Sequence, residues 1–270
     1  METNVKDVKL GVVGCGKMAS AILSGIAKNK FLNSDDIYVY DVNIEASGNL
    51  CREFGFREAY SLKELFDLSD VILFAVKPFL VSEILSEVKE FYNNQLILSI
   101  LAGVKIEKYH SIISNAKVIR IMPNTPALVG EGMSAICANS DIANDEIDFA
   151  FNLMSNCGKV IKTTEDKIDV ITALSGSGPA FYFKIIELLA KSAAKLGLNE
   201  NEALLLSAQT ALGSAKMVFE NDFDIAQLIK NVTTPGGCTE VGNNVLNNSN
   251  IDEIFDEIIQ KTMQKAIDLG

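Results

Sequence analysis

The chain has 270 residues, of which 48% are apolar and 22% are charged, and this composition excludes global disorder and allows one large or two medium domains. Its 24 basic and 35 acidic residues leave a net charge of −11, which argues against nucleic acid or an anionic membrane as a partner, because both attract basic patches. No apolar run approaches the roughly 20 residues that span a bilayer.

The first part of the chain alternates short apolar runs with helical patterns. Strands separated by helices of roughly 10–15 residues indicate βαβ units with right-handed crossovers, and therefore a mainly parallel sheet. The spacing Ser61-Leu-Lys-Glu64 is that of a capping box, which opens a helix. The predicted strands are 8–13, 37–40, 71–76, 96–100, 118–122, 133–137 and 159–162, and the predicted helices are 18–28, 61–68, 80–92 and 106–114.

Beyond about residue 164 every periodic segment has the helical period, and no strand pattern appears. We therefore predict an α/β Rossmann-type dinucleotide-binding domain at residues 1–164, followed by an all-α dimerisation and substrate domain at residues 165–270. The predicted helices of this second domain are 168–196, 199–219, 224–230, 237–247 and 250–269.

One predicted helix is apolar on nearly all its faces over residues 181–189, as is typical of a buried helix. A small helical domain has little interior in which to bury it, so we expect a homodimer formed through the C-terminal helices. Burial against the α/β domain alone remains the alternative.

A glycine-rich turn follows the first predicted strand. Gly14-x-Gly16-x-x-Ala19 has the dinucleotide fingerprint, in which the first glycine permits a tight turn, the second admits a pyrophosphate and the small third residue allows close packing. The helix N-terminus that follows supplies free N–H groups to the phosphates. A tight strand–helix turn without a ligand is the alternative.

An acidic residue, Asp41, ends the second predicted strand about 20 residues after Ala19, where a carboxylate accepts hydrogen bonds from the adenosine ribose. The same carboxylate repels a 2′-phosphate, and no arginine stands beside it, so we predict NADH rather than NADPH. An aspartate that caps the strand and faces solvent is the alternative.

Rigid loops follow other strands of the first domain. Pro78, Pro123 and Pro126 lie just after predicted strand ends, and residues 99–103 fill the equivalent place after another strand. The carboxyl ends of parallel strands form the ligand edge of such a sheet, where rigid loops hold geometry. Simple termination of strands by proline is the alternative.

In the helical half, a Pro-Gly-Gly loop within residues 233–239 precedes a predicted helix. Consecutive N–H groups in such a loop form an anion-binding nest at a helix start, which favours a carboxylate ligand. A flexible turn between helices is the alternative.

At these motifs the chain resembles the pyrroline-5-carboxylate reductase family, and the resemblance runs nearly end to end. It implies a Rossmann domain, a helical domain that interlocks with its twin, in some members larger rings of dimers, and the NAD(P)H-dependent reduction of the small molecule L-1-pyrroline-5-carboxylate to L-proline, the last step of proline biosynthesis. The motifs are Val13-Gly-Cys-Gly-Lys-Met18, Ala75-Val-Lys-Pro78, Met122-Pro-Asn-Thr-Pro126, Leu174-Ser-Gly-Ser-Gly-Pro-Ala180, Gly213-Ser-Ala-Lys-Met217 and Val232-Thr-Thr-Pro-Gly-Gly-Cys-Thr239.

The resemblance also implies roles for single residues. The substrate carboxylate would bind the backbone of Pro235, Gly236, Gly237, Cys238 and Thr239. Thr239 and Thr234 would be the catalytic pair, with the Thr239 hydroxyl at the ring nitrogen and Thr234 close by. Because the family's dimer interlocks, nicotinamide and Thr239 could come from different subunits. The pyrophosphate would lie on Gly14, Cys15, Gly16, Lys17 and Met18, with Asp41 at the ribose, and the remaining cofactor residues would be Ala75, Val76, Lys77, Pro78, Ala102, Gly103, Asn124 and Thr125.

Two positions depart from the family pattern. Asn243 follows Gly242 where the family usually has an aliphatic residue, which could loosen the helix after the site. Cys238 stands where threonine or alanine is common, and it is either a thiol open to alkylation or a small buried residue.

Metal chemistry is not expected. The five cysteines form no CxxC pair and the single histidine, His110, lies in a polar stretch typical of the surface, which argues against disulfides, structural zinc and a histidine site. Together with a polar start, residues 1–9, that does not resemble a signal peptide, this composition predicts a cytoplasmic protein.

Two rival functions remain. A β-hydroxyacid dehydrogenase would need a helix lysine four residues after a Gly-x-Gly, where this chain has Tyr182; Lys184 lies two positions later, on another side of the helix. A nucleotide-sensing protein with the same fold would not need Thr239 or the proline-bearing loops.

Overall fold

The computed structural model describes residues 8–220 and 224–269, so most of the polar N-terminal stretch lies outside the described residues. The chain forms two compact units. The first contains residues 1–177 and 261–270, and the second contains residues 178–260. The domain boundary at residues 164 and 165 stays a prediction.

An eight-stranded sheet forms the centre of the first unit, in the order β3-β2-β1-β4-β5-β6-β7-β8. All neighbouring pairs are parallel except β6 and β7, which are antiparallel. The chain reverses direction across the sheet between β1 and β4. The strands are β1 Leu10–Val13, β2 Ile37–Tyr40, β3 Arg57–Glu58, β4 Val71–Phe74, β5 Leu96–Ser99, β6 Lys117–Met122, β7 Gly132–Ala138 and β8 Gly158–Lys162.

Helices cover both faces of this sheet, and alternate residues of each strand point into one of two apolar cores. One core joins the strands to α1 and α6, and the other joins them to α3, α4 and α5. The helices of this unit are α1 Lys17–Lys28, α2 Ile44–Phe54, α3 Leu62–Asp67, α4 Val81–Val88, α5 Ile106–His110, α6 Asn144–Ser155 and α7 Ile168–Ile171.

The described residues of the second unit form helices joined by loops, without a strand. Its helices Gly178–Lys195 and Glu200–Glu220 pack against each other, and the Ser207 hydroxyl of the second donates to the Ile186 carbonyl of the first at 3.1 Å. α12 begins here, and its last part, from residue 261, belongs to the first unit. The helices are α8 Gly178–Lys195, α9 Glu200–Glu220, α10 Ile225–Val232, α11 Cys238–Asn247 and α12 Ile251–Asp268.

Large apolar side chains of the second unit remain exposed in the single chain. On α8 they include Tyr182, Phe183, Leu188 and Leu189, although the sequence predicted that this helix is buried. Patches of this kind mark surfaces that another protein covers, and this is the pattern expected of a helix buried only in the homodimer. Among the described residues, no helix has both the length and the apolar character that crossing a bilayer requires.

The structure corrects the predicted elements at several points. The predicted helix 168–196 is interrupted by a π-helical turn, Thr172–Gly176, in which the Ser177 amide bonds the Thr172 carbonyl at 2.8 Å. Pro179, which has no amide hydrogen, lies in the first turn of the helix that follows, Gly178–Lys195. α2, α6 and β3 were missed, because α2 and α6 are weakly apolar and β3 has only two residues.

A buried ion-pair cluster, which was not predicted from the sequence, forms around a residue of β6. The Arg120 side chain on β6 is 1% exposed, and it pairs with Glu165 at 3.2 Å and with Asp169 at 3.5 Å. The Glu165 carboxylate also accepts the Ile106 amide at 2.8 Å. The Arg120 guanidinium therefore links β6 to α7 directly, and the Glu165 carboxylate extends this link to α5.

Replacing this cation should destabilise the first unit strongly. Arg120→Met would leave two carboxylates without their buried partner, and we expect a loss of about 3–5 kcal/mol in the free energy of unfolding. The matched control is Arg57→Met, which breaks an exposed pair with Asp35 at 3.1 Å whose side chains are 53% and 79% exposed, and which should cost at most about 1 kcal/mol. Urea unfolding at one protein concentration measures both variants, and equal losses would contradict the prediction.

Candidate functional site

The turn after β1 depends on the glycine at position 14. Gly14 has φ +96°, a left-handed conformation that residues with a side chain rarely adopt. A Cβ atom there would lie 2.8 Å from the Ala75 carbonyl oxygen of the neighbouring strand end. The Gly14 amide also donates to the Tyr40 carbonyl at 2.8 Å, so this position is packed between the ends of β4 and β2.

The second glycine has open space around it. Gly16 is the N-cap of α1, and a Cβ atom at this position would meet nothing within 4 Å. The first amide groups of a helix have no intrahelical partner, so those of α1 face this space. This arrangement fits a phosphate group, which is small, anionic and rich in acceptors.

Asp41 is tied to the glycine turn. One oxygen of its carboxylate accepts the Cys15 amide at 2.7 Å, and the other accepts the Asn43 amide at 2.8 Å. Since a carboxylate has about four acceptor positions, it can still accept hydrogen bonds from a ribose.

A second acidic residue, Glu45, lies four residues after Asp41 in the first turn of α2, and its side chain is exposed. It was not among the residues predicted from the sequence.

Cys15 has no reactive role in this turn. Its thiol is buried, and burial together with the Asp41 carboxylate raises the pKa of Cys15 to about 12. The thiol is therefore protonated at neutral pH, and the residue contributes its backbone amide and its packing.

The other predicted cofactor residues lie in loops at the same edge of the sheet. Because β1, β4, β5 and β6 are adjacent in the sheet, the loops that follow their carboxyl ends are neighbours. Ala75 continues from β4 and bonds the Val13 carbonyl at 2.9 Å, and Gly103 has φ +78° in the loop after β5. Val76, Lys77, Pro78, Ala102, Asn124 and Thr125 belong to the same set of loops.

Asn124 joins three segments of the first unit. Its amide nitrogen donates to the Ser175 carbonyl at 3.2 Å and its amide oxygen accepts the Met133 amide at 2.8 Å. Ser175 lies in the π-helical turn, which places that turn beside the loop after β6. Thr125, in contrast, is exposed at the start of the turn Thr125–Val129.

The candidate substrate segment lies in the second unit. Gly236 has φ +75°, and Gly237 is the N-cap of α11. The Gly236 amide donates to the Glu240 carboxylate at 2.8 Å, and the Gly237 amide donates to the Thr234 carbonyl at 2.9 Å. Pro235 has no amide hydrogen, so the amides left to bind an anion are those in the first turn of α11.

These first-turn amides belong to Cys238 and Thr239. As the first two residues of α11 they have no intrahelical acceptor, and the positive end of the helix dipole favours an anion there. Cys238 is exposed in the single chain rather than buried, and so are Thr234 and Thr239. The segment therefore offers two amides, a thiol and two hydroxyls.

No cluster of three metal-binding side chains occurs among residues 8–220 and 224–269. His110 is part-buried rather than a free surface residue, since its Nε2 atom lies 2.9 Å from the Ala116 carbonyl. It joins the end of α5 to the start of β6.

Comparison with known proteins places the whole chain beside one group of enzymes. The family model for pyrroline-5-carboxylate reductase dimerisation matches residues 165–269, and that for NADP oxidoreductase coenzyme F420-dependent matches residues 9–103. The pyrroline-5-carboxylate reductase of Aquifex aeolicus is 36% identical over 267 residues, covering 98% of this chain and 99% of the relative. That of Escherichia coli is 33% identical over 260 residues, covering 96% and 97%.

This chain is also similar to solved structures of pyrroline-5-carboxylate reductases. A pyrroline-5-carboxylate reductase from Coxiella burnetii has a TM-score of 0.91 and 31% identity, covering 97% of this chain and 98% of the other. The Plasmodium falciparum pyrroline carboxylate reductase, solved with NADP bound, has a TM-score of 0.88 and 30% identity, covering 99% and 100%.

The two glycines of the turn should respond differently to the same substitution. Gly14→Ala should lower the melting temperature, because its methyl group collides with the Ala75 carbonyl in a left-handed conformation. Gly16→Ala should leave the melting temperature nearly unchanged and weaken dinucleotide binding about ten-fold or more, because its methyl group fills space that a pyrophosphate needs. Thermal unfolding and NADH titration measure the two effects. Unimpaired binding by Gly16→Ala would show that the space does not hold the cofactor.

Proposed function

This chain belongs to the pyrroline-5-carboxylate reductase family, and from that premise we propose which of its residues carry the reaction. The protein is an NAD(P)H-dependent oxidoreductase that reduces the C=N bond of L-1-pyrroline-5-carboxylate to give L-proline, the last step of proline biosynthesis. It acts as a homodimer or larger oligomer. The observation that carries our assignment is the pair of glycine-capped helix starts, at α1 and at α11, whose first amides have no intrahelical partner.

The residues of the first unit would hold the dinucleotide. The open space at Gly16 and the first amides of α1, with Lys17 and Met18, suit the pyrophosphate, and Asp41 suits the adenosine ribose. The loops after β4, β5 and β6 would surround the nicotinamide. When bound, the reduced nicotinamide supplies a hydride to the imine carbon.

The segment of the second unit would hold the substrate. The substrate carboxylate suits the amides of Cys238 and Thr239, because the amides of Gly236 and Gly237 already bond Glu240 and Thr234. The Thr239 hydroxyl would hydrogen-bond the ring nitrogen. Thr234 lies four residues before Cys238, the first residue of α11. A threonine hydroxyl is a weak acid, so we assign Thr239 to alignment rather than to proton donation. Orientation of a reactive imine can supply much of the rate.

The rival function, a β-hydroxyacid dehydrogenase, would require a lysine at a position where this chain has none. Tyr182 occupies the position that such enzymes use, and Lys184 is engaged on the surface of α8, where it bonds Glu187 at 2.7 Å. Lys184 and Lys191 together lower the pKa of Glu187 to about 2. Lys184, Glu187 and Lys191 therefore form an exposed ion-pair group on α8.

We also propose a preference for NADH over NADPH. Asp41 and the exposed Glu45 place two negative charges beside the proposed ribose position, and the segment 41–45 contains no basic residue. A 2′-phosphate would be repelled by both carboxylates. The assignment to the cytoplasm rests on composition and on the five unpaired cysteines, and the ring of dimers stays a prediction.

Steady-state kinetics with both cofactors tests this preference. We expect kcat/KM to be roughly five-fold or more higher with NADH, as the repulsion of one or two partly solvated charges implies. Glu45→Lys should lower this ratio, because an ammonium there attracts the 2′-phosphate. Glu53→Lys is the matched control, since it makes the same charge change at the exposed far end of α2. A wild-type preference for NADPH would refute the assignment of Asp41.

The role of Thr239 can be tested independently. Thr239→Ala should lower kcat/KM with pyrroline-5-carboxylate at least about ten-fold, which corresponds to roughly 1.4 kcal/mol of transition-state binding. Thr239→Ser keeps a hydroxyl and should retain most of the activity. NADH oxidation at saturating cofactor measures both, and kinetics of Thr239→Ala like those of the wild type would remove this hydroxyl from the mechanism.

A further inference from the structure

The Asn243 side chain on α11 bonds to the loop that precedes this helix. Asn243 is not one of the proposed substrate residues. The Asn243 amide nitrogen donates to the Thr233 hydroxyl oxygen at 2.8 Å, and that hydroxyl donates to the Ile229 carbonyl of α10 at 2.7 Å. Asn243 and Thr233 are both part-buried. This short chain of hydrogen bonds connects the helix after the substrate segment to the helix before it.

A second bond from α11 holds the middle of the same loop. The Glu240 carboxylate accepts the Gly236 amide at 2.8 Å, at the residue that has φ +75°. The loop is therefore attached to α11 at its first residue, Thr233, and at its left-handed turn. Between these two attachments lie Thr234 and Pro235, and the amides of Cys238 and Thr239 follow directly.

We propose that Asn243 is a positioning residue for the substrate: its bond to Thr233 holds the loop so that the amides of Cys238 and Thr239 and the Thr239 hydroxyl converge on one ligand. Preorganisation of this kind lowers the conformational cost of binding. The inference rests on the proposed substrate role of residues 234–239.

Helix stability does not account for an asparagine here, since asparagine is a poorer helix former than the aliphatic residues expected at this position. The sequence suggested that Asn243 loosens the helix. In the structure its side chain instead fastens the helix to the loop.

The variant Asn243→Leu tests the inference with a branched side chain of similar size. Leucine neither donates nor accepts a hydrogen bond, so the bond to the Thr233 hydroxyl is lost while that hydroxyl can keep its bond to the Ile229 carbonyl. We expect KM for pyrroline-5-carboxylate to rise about five-fold or more while KM for NADH stays within about two-fold of the wild type.

Asn244→Leu is the matched control, because it makes the same substitution one residue further along α11 at an exposed side chain. It should leave both constants near their wild-type values. Light scattering on each variant records the oligomeric state, which should not change.

The acceptor side of the bond supplies a second, independent test. Thr233→Val removes the hydroxyl and should reproduce the rise in KM for pyrroline-5-carboxylate, whereas Thr233→Ser keeps the hydroxyl and should restore a value near that of the wild type. The double variant of Asn243→Leu with Thr233→Val should be no worse than the more affected single variant, because both remove the bond between residues 243 and 233.

The outcomes separate the inference from the proposed function. An inactive wild type would overturn the proposed function and this inference with it. An active wild type in which Asn243→Leu matches Asn244→Leu would overturn the inference alone. Equal rises of both KM values, or loss of the oligomer, would show a merely structural role and would also overturn it.

Discussion

The dinucleotide site that we propose in the first unit depends on the left-handed turn at Gly14. It lies where the strand order reverses, between β1 and β4, and its Cα hydrogen faces the Ala75 carbonyl with no room for a side chain. Because this turn lets β1 end and α1 begin within three residues, the first amides of α1 point at the edge of the sheet. The open space at Gly16 follows from the same geometry.

Backbone groups supply most of the proposed ligand contacts in both units. At α1 and at α11 a glycine-containing turn precedes a helix, and the first amides of that helix are unpaired within it. The two sites differ in what fastens them. Asp41 braces the first turn from β2 through the Cys15 amide, whereas Glu240 and Asn243 brace the second loop from within α11. In the proposed arrangement an acidic chain binds an anionic dinucleotide and an anionic substrate through backbone amides, without a cluster of arginines.

In the proposed reaction side-chain chemistry has a small part. The thiol of Cys15 is held neutral by burial, and the one histidine bonds a carbonyl at the start of β6. Hydride transfer to an imine needs alignment more than acid–base groups. Alignment in turn needs stiff loops, and the Asn124 bonds to Ser175 and Met133 provide this for the loop after β6.

The sequence by itself determined what depends on local spacing. Strand and helix periods identified the parallel sheet and the helical second half, and the glycine pattern located the turn at residue 14, because a positive φ is a property of the residue itself. Only the tertiary structure decided which distant groups meet. The partners of Arg120, the two amides on the Asp41 carboxylate and the bond from Asn243 to Thr233 join separate elements, and no local pattern encodes the packing that brings them together. The same holds for the π-helical turn at Thr172–Gly176, which interrupts a helical period that the sequence alone continues.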